Sequence, residues 1–342
     1  MNTELHLRPG CPDCRFLEDS TLARRDFLFS LGQGAALAAA GVSALRADTA
    51  PAKSKPAEDM VRELHAALSP EQRAKLVRPW DEGGGPGKIP TRMGMYNSPL
   101  FKAAIGTEYT KPQQELVERI FRAMCSDDEG YRRLSRNGKF DGSGSLAGCG
   151  AHIFGDPSGK NPFAWVFTGH HLTVRCDGNS VPGTAFGGPL YYGHSAPGYS
   201  ERNVFQYQTR AVQGLFAALD GKQQTAAVVE GSPGEQAGSV RHRARPYPGI
   251  GLAELSKDQQ KLVESVMRAV LSPYRKEDAD EVMEIVRANG GTAKINLAFY
   301  KDKDSTDPKE PWHFWRLEGP GFVWNYRVLD HVHCFVNIAR VA

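Results

Sequence analysis

The chain has 342 residues, 40% hydrophobic and 24% charged, which is the balance of an ordinary soluble globular protein with enough length for a full core. Its formal charge is only +3, with Lys and Arg evenly mixed among Asp and Glu, which excludes the concentrated basic footprint of a nucleic-acid partner. Nothing in the composition calls for a disordered or membrane-spanning class.

The N-terminus carries the first signal. "ARRDFLFS" (residues 23–30) resembles the twin-arginine export motif, matched by Arg24, Arg25, Phe27 and Leu28. The Ala- and Gly-rich stretch behind it is too weakly hydrophobic for a membrane anchor, and small residues near Ala44 and Ala47 offer a cleavage site. Residues 1–47 are therefore read as a signal peptide, with the twin-arginine translocase as partner during export and a periplasmic or secreted destination. That route moves folded proteins, so a metal loaded before export is compatible with it. Cys11 and Cys14 would leave with the signal. Cys125, Cys149, Cys176 and Cys334 contain no CxxC pair, leaving one or two disulfides or buried free thiols as the alternatives.

A polar linker, residues 48–56, leads into a single α+β domain at 57–342. "AEDMVRELHAAL" and "SPEQRAKLV" read as helices, the second with Ser69 as N-cap and Pro70 at its first position. A Gly/Pro stretch near 81–90 opens a long irregular segment. "TKPQQELVERIFRAMCS" (110–126) and "SKDQQKLVESVMRAVLS" (256–272) then agree at nine of seventeen positions, and Trp165 and Gly169 fall against Trp315 and Gly319 at nearly the same offset. Two matches in one order predict an internal duplication, with possible halves at 107–250 and 251–342. In the first half "HIFGD" and "FAWVFTGHHLTVRC" read as strands, followed by a helical run from Val204. In the second, a helix ended by Gly290 and Gly291 precedes four strands: "AKINLAFY", "PWHFWRLEG", "FVWNYRVL" and "HVHCFVNIA". The expected class is α+β, antiparallel sheets with packed helices in pseudo-symmetric halves.

Histidine carries what chemistry the chain shows. His331 and His333 stand two apart in a predicted strand and so leave it on one face. His170 and His171 are adjacent, so only one of them should reach a site that the other strand supplies, unless a turn or bulge intervenes at Gly169. Two imidazoles from one strand and a third from another assemble a three-histidine centre for copper or zinc, preferred over magnesium or calcium because imidazoles outnumber well-placed carboxylates. His194, in a Gly-rich loop, and Glu318, in "RLEGPG", are the candidates for general acid/base or ring-orienting roles, and Asp330 could also orient a ring. Tyr191, Tyr192, Trp315 and Trp324 could line an apolar pocket. His65 and His242 read as surface residues, and His152 and His313 are unassigned. The bland alternative for the pair of histidines is a hydrogen-bonded core pair.

Other signatures fail. GxSxG, HExxH, a phosphate loop and a complete dinucleotide fingerprint are all missing. "GSGSLAGCG" (142–150) could cradle an anion but reads more simply as a flexible loop, and nothing brings a histidine to Cys149.

At "FTGHHLTV", the Gly/Pro-rich segment after it and the closing "RLEGPG" and "HVH", the chain resembles a bacterial family of exported proteins of unknown function, the one numbered thirty-five hundred. The matching residues are Gly169, His170, His171, Gly319, Pro320, His331 and His333. The resemblance covers the chain from about Pro56 onward and implies no established activity. Members commonly continue past the last histidine with a charged tail, where this chain ends at Ala342. The reading that results is an exported metal-binding protein, a metalloenzyme of hydrolytic or oxidative type with a small-molecule substrate. The alternatives are a metal-free His/Glu acid-base hydrolase or lyase, and a non-catalytic periplasmic binding protein.

Overall fold

A computed structural model describes residues 56–86, 88–235, 242, 246–301 and 311–341. The signal, the cysteines within it and all but the last residue of the linker lie outside these.

The helices of the first half are α1 (Pro56–Ala67), α2 (Pro70–Leu76), α3 (Ile105–Glu108), α4 (Lys111–Ala123) and α5 (Asp128–Leu134). Those of the second are α6 (Gln206–Ala217), α7 (Gly221–Ala227), α8 (Lys257–Leu271) and α9 (Lys276–Ala288). The strands are β1 (Val77–Arg78), β2 (Gly150–Gly155), β3 (Phe163–Gly169), β4 (Leu172–Cys176), β5 (Leu190–His194), β6 (Val228–Glu230), β7 (Ile250–Gly251), β8 (Asn296–Lys301), β9 (Phe314–Gly319), β10 (Phe322–Arg327) and β11 (Val332–Ile338). All eleven join one sheet in the order β1-β2-β3-β4-β5-β11-β10-β9-β8-β6, with β7 beside β8. The α+β class holds. The sheet is mixed rather than purely antiparallel, because β1 runs parallel to β2 and β6 parallel to β8.

The N-terminal part runs α1, α2, β1, α3, α4, α5 and the meander β2–β5, the C-terminal part runs α6, α7, β6, β7, α8, α9 and the meander β8–β11, and the meanders meet through β5 and β11. The helix starts repeat in detail. Ser69, Thr110, Asp220 and Ser256 cap α2, α4, α7 and α8 in capping boxes with Gln72, Gln113, Gln223 and Gln259 at N3. Within each half the two glutamines exchange amide hydrogen bonds: Gln72 and Gln113 at 2.7 and 3.0 Å, Gln223 and Gln259 at 2.7 and 3.2 Å.

Strand alternation divides the sheet into two faces. On β11, Val332, Cys334, Val336 and Ile338 join the main core with Leu116, Ile120, Phe121, Val263, Met267 and Val270 of α4 and α8. Tyr192, Trp315 and Trp324 belong to this core too, so they fill it rather than line a site. Cys125, Cys149, Cys176 and Cys334 are buried free thiols.

The opposite face bears His333, Phe335 and Asn337 of β11, Arg327 and Asn325 of β10, and His152 and Phe154 of β2. Over β2–β4 it is covered by residues 79–104, held down by threonine hydroxyls: Thr173 Oγ1 accepts from the Tyr96 amide at 2.8 Å and Thr168 Oγ1 from Leu100 at 3.2 Å. Arg175 is buried here and gives its guanidinium to the carbonyls of Arg92, Gly94 and Pro189, which accounts for a charge inside the protein. Two histidines differ from their surface reading. His65 is buried on α1, and His242 lies half-buried with Nε2 3.0 Å from the Asn337 carbonyl.

Candidate metal centre

β3 and β4 are joined by a two-residue turn at His170 and His171, not by a continuous strand. His171 takes φ of 54°, a left-handed conformation that costs an L-residue roughly 1–2 kcal/mol. The turn, rather than strand alternation, sets the two rings, whose centroids lie 3.9 Å apart on the same side. The Asn97 side chain pins this backbone by accepting from the His171 amide at 2.6 Å. The His171 carbonyl in turn accepts from Gly193 of β5 at 2.9 Å, and Gly193 lies opposite His333 in the β5–β11 register. A Cβ on Gly193 would collide with the Val332 carbonyl and crowd the His333 ring at 3.2 Å and the His171 Cβ at 3.3 Å, so glycine lets β11 and both imidazoles close in on β5.

His171, His331 and His333 are all buried, and each offers a nitrogen within 4.8 Å of the others. Ring centroids lie 5.0 Å apart for His171 and His331, 4.8 Å for His171 and His333, and 4.6 Å for His331 and His333. Behind each ring stands a carboxylate. His171 Nδ1 is 2.7 Å from Asp141 Oδ2, His331 Nδ1 is 3.0 Å from Asp330 Oδ1, and His333 Nδ1 is 2.9 Å from Glu235 Oε2. A hydrogen on each Nδ1 would be held by its carboxylate and leave the Nε2 lone pairs of His331 and His333 facing each other. Such a set of nitrogens could hold a metal ion.

The electrostatics favour the neutral form of His171 and His333. Burial holds His171 well below the ordinary histidine value, and burial with the charges of Arg327 and His331 does the same to His333. Burial alone would raise Asp141, but the hydrogen bond from His171 and the charge of Arg136 outweigh it and keep the carboxyl ionised far below its usual range. The His331 hydrogen bond lowers Asp330, whereas burial pushes Glu235 up to about 7.

Arg327 enters the middle of the cluster. Its Nη2 lies 2.8 Å from His331 Nε2 and 2.9 Å from His333 Nε2, while those two nitrogens are 2.9 Å from each other. A guanidinium only donates. It can serve both rings, but the two lone pairs are then left facing one another.

A second group, Asp141, His170 and His171, also has metal-ligand proximity. Its donor atoms are already engaged: His170 Nδ1 accepts from the Gly142 amide at 3.1 Å, and Asp141 Oδ2 accepts from Ser195 at 2.9 Å as well as from His171. This group supports His171 instead of forming another centre. The Gly/Ser loop serves the same end, since Ser143 Oγ accepts from the His170 amide at 2.8 Å. Cys149 lies beneath the turn, its thiol pushed up to about 12 by burial, which removes it as a nucleophile.

Neither acid/base candidate joins the cluster. His194 pairs with Val332, so it leaves the sheet on the face opposite His333, and its Nδ1 accepts from the Val204 amide at 3.2 Å. Glu318 pairs with Val323, which pairs with Asn337, four residues and roughly 13 Å along β11 from His333. It sits 3.2 Å from Arg316. Tyr191 alone of the four aromatics borders the centre, edge-on to His333 at 5.6 Å. Asp141, Glu235, Arg327 and Asn97 were not foreseen. Only Arg327 had a sequence signal, four residues ahead of His331 in a strand already identified.

The sequence model described as a protein of unknown function (DUF3500) matches residues 51–338, which takes in every element above and all three ring donors. The chain belongs to the DUF3500 family. No curated protein and no solved structure matches it. The DUF3500 match carries no named activity, so the chemistry has to be argued from the cluster.

Proposed function

We propose that the protein is an exported metalloenzyme, hydrolytic or oxidative, that holds copper or zinc on His171, His331 and His333 and acts on a small molecule. One observation carries this reading: all three rings have a carboxylate at Nδ1, and each offers a nitrogen within 4.8 Å of the others. Converging lone pairs suit a Lewis acid and repel an oxyanion. A cation there would also resolve the facing lone pairs of His331 and His333. Imidazole donors suit copper or zinc better than magnesium or calcium. A bound zinc would acidify a water molecule and a bound copper would exchange an electron. The chain's own part is to fix three neutral rings and exclude bulk water with Tyr191 and Arg327.

The twin-arginine segment supports periplasmic or secreted localisation, because that translocase carries folded cargo. The repeated element order and paired capping glutamines support an internal duplication with halves that begin at α1 and α6, earlier than the helix match alone suggested.

A metal-free acid-base enzyme is the second reading, favoured by the position of Arg327 Nη2 between two imidazoles. In it Asp141, Asp330 and Glu235, rather than Glu318, would partner the histidines. Plasma mass spectrometry separates the two readings, using protein purified from the periplasm without chelator or nickel beside a His331→Ala/His333→Ala double variant. Near-stoichiometric copper or zinc that disappears in the variant is expected. A folded wild type with no metal sinks the metal reading and leaves the second.

A further inference from the structure

We propose that His170 is the hydrogen-bond donor of the centre and not a fourth ligand, its Nε2–H serving an acceptor atom of the molecule that binds the ion. This rests on the metal reading above.

His170 and His171 share one turn and carry their hydrogens on opposite nitrogens. Asp141 is ionised and only accepts, so the hydrogen of the neutral His171 ring sits on Nδ1, 2.7 Å from Asp141 Oδ2. The Gly142 amide only donates, so Nδ1 of His170, 3.1 Å away, offers it a lone pair. The hydrogen of His170 is therefore on Nε2. One ring of the turn is left with a lone pair at Nε2, as a ligand needs, and its neighbour with an N–H. Asp141 Oδ2 lies nearest Nδ1 of both rings, 3.8 Å away in His170, so both turn Nε2 away from it.

His170 is also held at every other polar atom. Its amide donates to Ser143 Oγ at 2.8 Å, and its carbonyl accepts from Nη2 of the buried Arg136 at 2.6 Å. Its ring lies so close on Gly142 that a Cβ there would come within 2.8 Å of Nδ1. Among the described residues nothing accepts from Nε2. A ring fixed at three points with one N–H unused is a donor prepared in advance. Its place suits that part. It stacks on His171 at 3.9 Å and is close enough to His331 and His333 to act on both electrostatically. Its side chain is 20% exposed, against 0% for His171, 1% for His333 and 8% for His331, so it is the ring of the four that an incoming molecule meets first.

Cobalt(II), whose visible bands report coordination, is loaded into the full-length protein, which is titrated with azide, which keeps acceptor nitrogens when bound, and with imidazole, which keeps only an N–H. Both should shift the bands of the wild type. His170→Phe keeps a ring and loses the donor: cobalt affinity and the imidazole response should persist while the azide Kd rises about tenfold. His170→Gln, whose amide offers an N–H at a similar reach, should return azide to within about threefold of the wild type. An azide Kd unchanged in His170→Phe overturns the proposal, as does a loss that imidazole shares, an azide Kd in His170→Gln no lower than in His170→Phe, or a wild type that answers imidazole but not azide; all of these leave the metal centre standing. Cobalt affinity that falls about 100-fold in His170→Phe also overturns it, by making His170 a ligand. A wild type without cobalt bands defeats the metal reading and the proposal that stands on it. If His170→Phe does not fold, His170→Leu is read in the same way.

Discussion

The turn between β3 and β4 and the turn between β9 and β10 occupy the same place in the two halves. His171 has φ of 54° and Gly321 has φ of 61°. The His171 carbonyl accepts from Gly193 of β5, and the Gly321 carbonyl accepts from Ala339 just past β11, each at 2.9 Å. One turn carries an imidazole in a conformation that suits glycine, and the other carries the glycine. The second turn is also packed shut, since a Cβ on Gly321 would collide with the Ala339 carbonyl. The left-handed position is thus a property of the meander, whereas the histidine is an addition that tolerates strain to place a ring beside β11. Departure from the comfortable residue marks the working half of the pair.

Three experiments break or sharpen this comparison. The largest effect is expected from His171→Gly, which gives the first turn the residue of the second: metal affinity should fall more than about 100-fold, since a ring donor is worth at least as much as the groups that orient it. Circular dichroism should be unchanged, and equilibrium dialysis that finds wild-type affinity would remove His171 from the centre.

Next comes His152, which the register sets against Ala298 of the other half. Its ring is fully buried with neither nitrogen hydrogen-bonded, and burial, aided by the charge of Arg78, pushes its pKa down to about 4. The folded value lies below the unfolded value of about 6.5, so the stability it contributes is present above that pH and is lost as pH falls toward 4. At 1.36 kcal/mol per unit the loss reaches about 3 kcal/mol. His152→Leu should unfold in urea with that much less dependence on pH between 7 and 4, and an unaltered dependence would mean that the ring finds a proton partner when charged.

The smallest effect concerns the capping glutamines. Gln72→Ala and Gln223→Ala should each cost about 1 kcal/mol or more by urea unfolding, because each removes a cap bond and both hydrogen bonds of an amide exchange. Costs that differ by more than about 1 kcal/mol would show that the two exchanges are not equivalent in their halves.

Much of this fold could be read ahead of the coordinates, and the reason is local. The Ser69 cap with Pro70 behind it, and the four alternating strands of the second half, are short-range patterns that tertiary contacts reinforced. The mixed sheet was not legible, because β1 and β6 are two- and three-residue strands with no periodicity of their own. The same limit applied to the centre. His331 and His333 were visible as a pair because strand geometry fixes i and i+2. Only one of His170 and His171 was expected to reach the pair, and His171 does, though a tight turn rather than strand alternation places it. Asp141 and Glu235 reach the rings across 30 and 98 residues of chain, separations at which sequence alone carries no register.

β5 and β11 are the seam where the two meanders become one sheet, and the three rings lie across it. His171 belongs to one meander, and His331 and His333 to the other. An ion held there would act as a rivet between the halves, so that stripping it would loosen the joint before it softened either side.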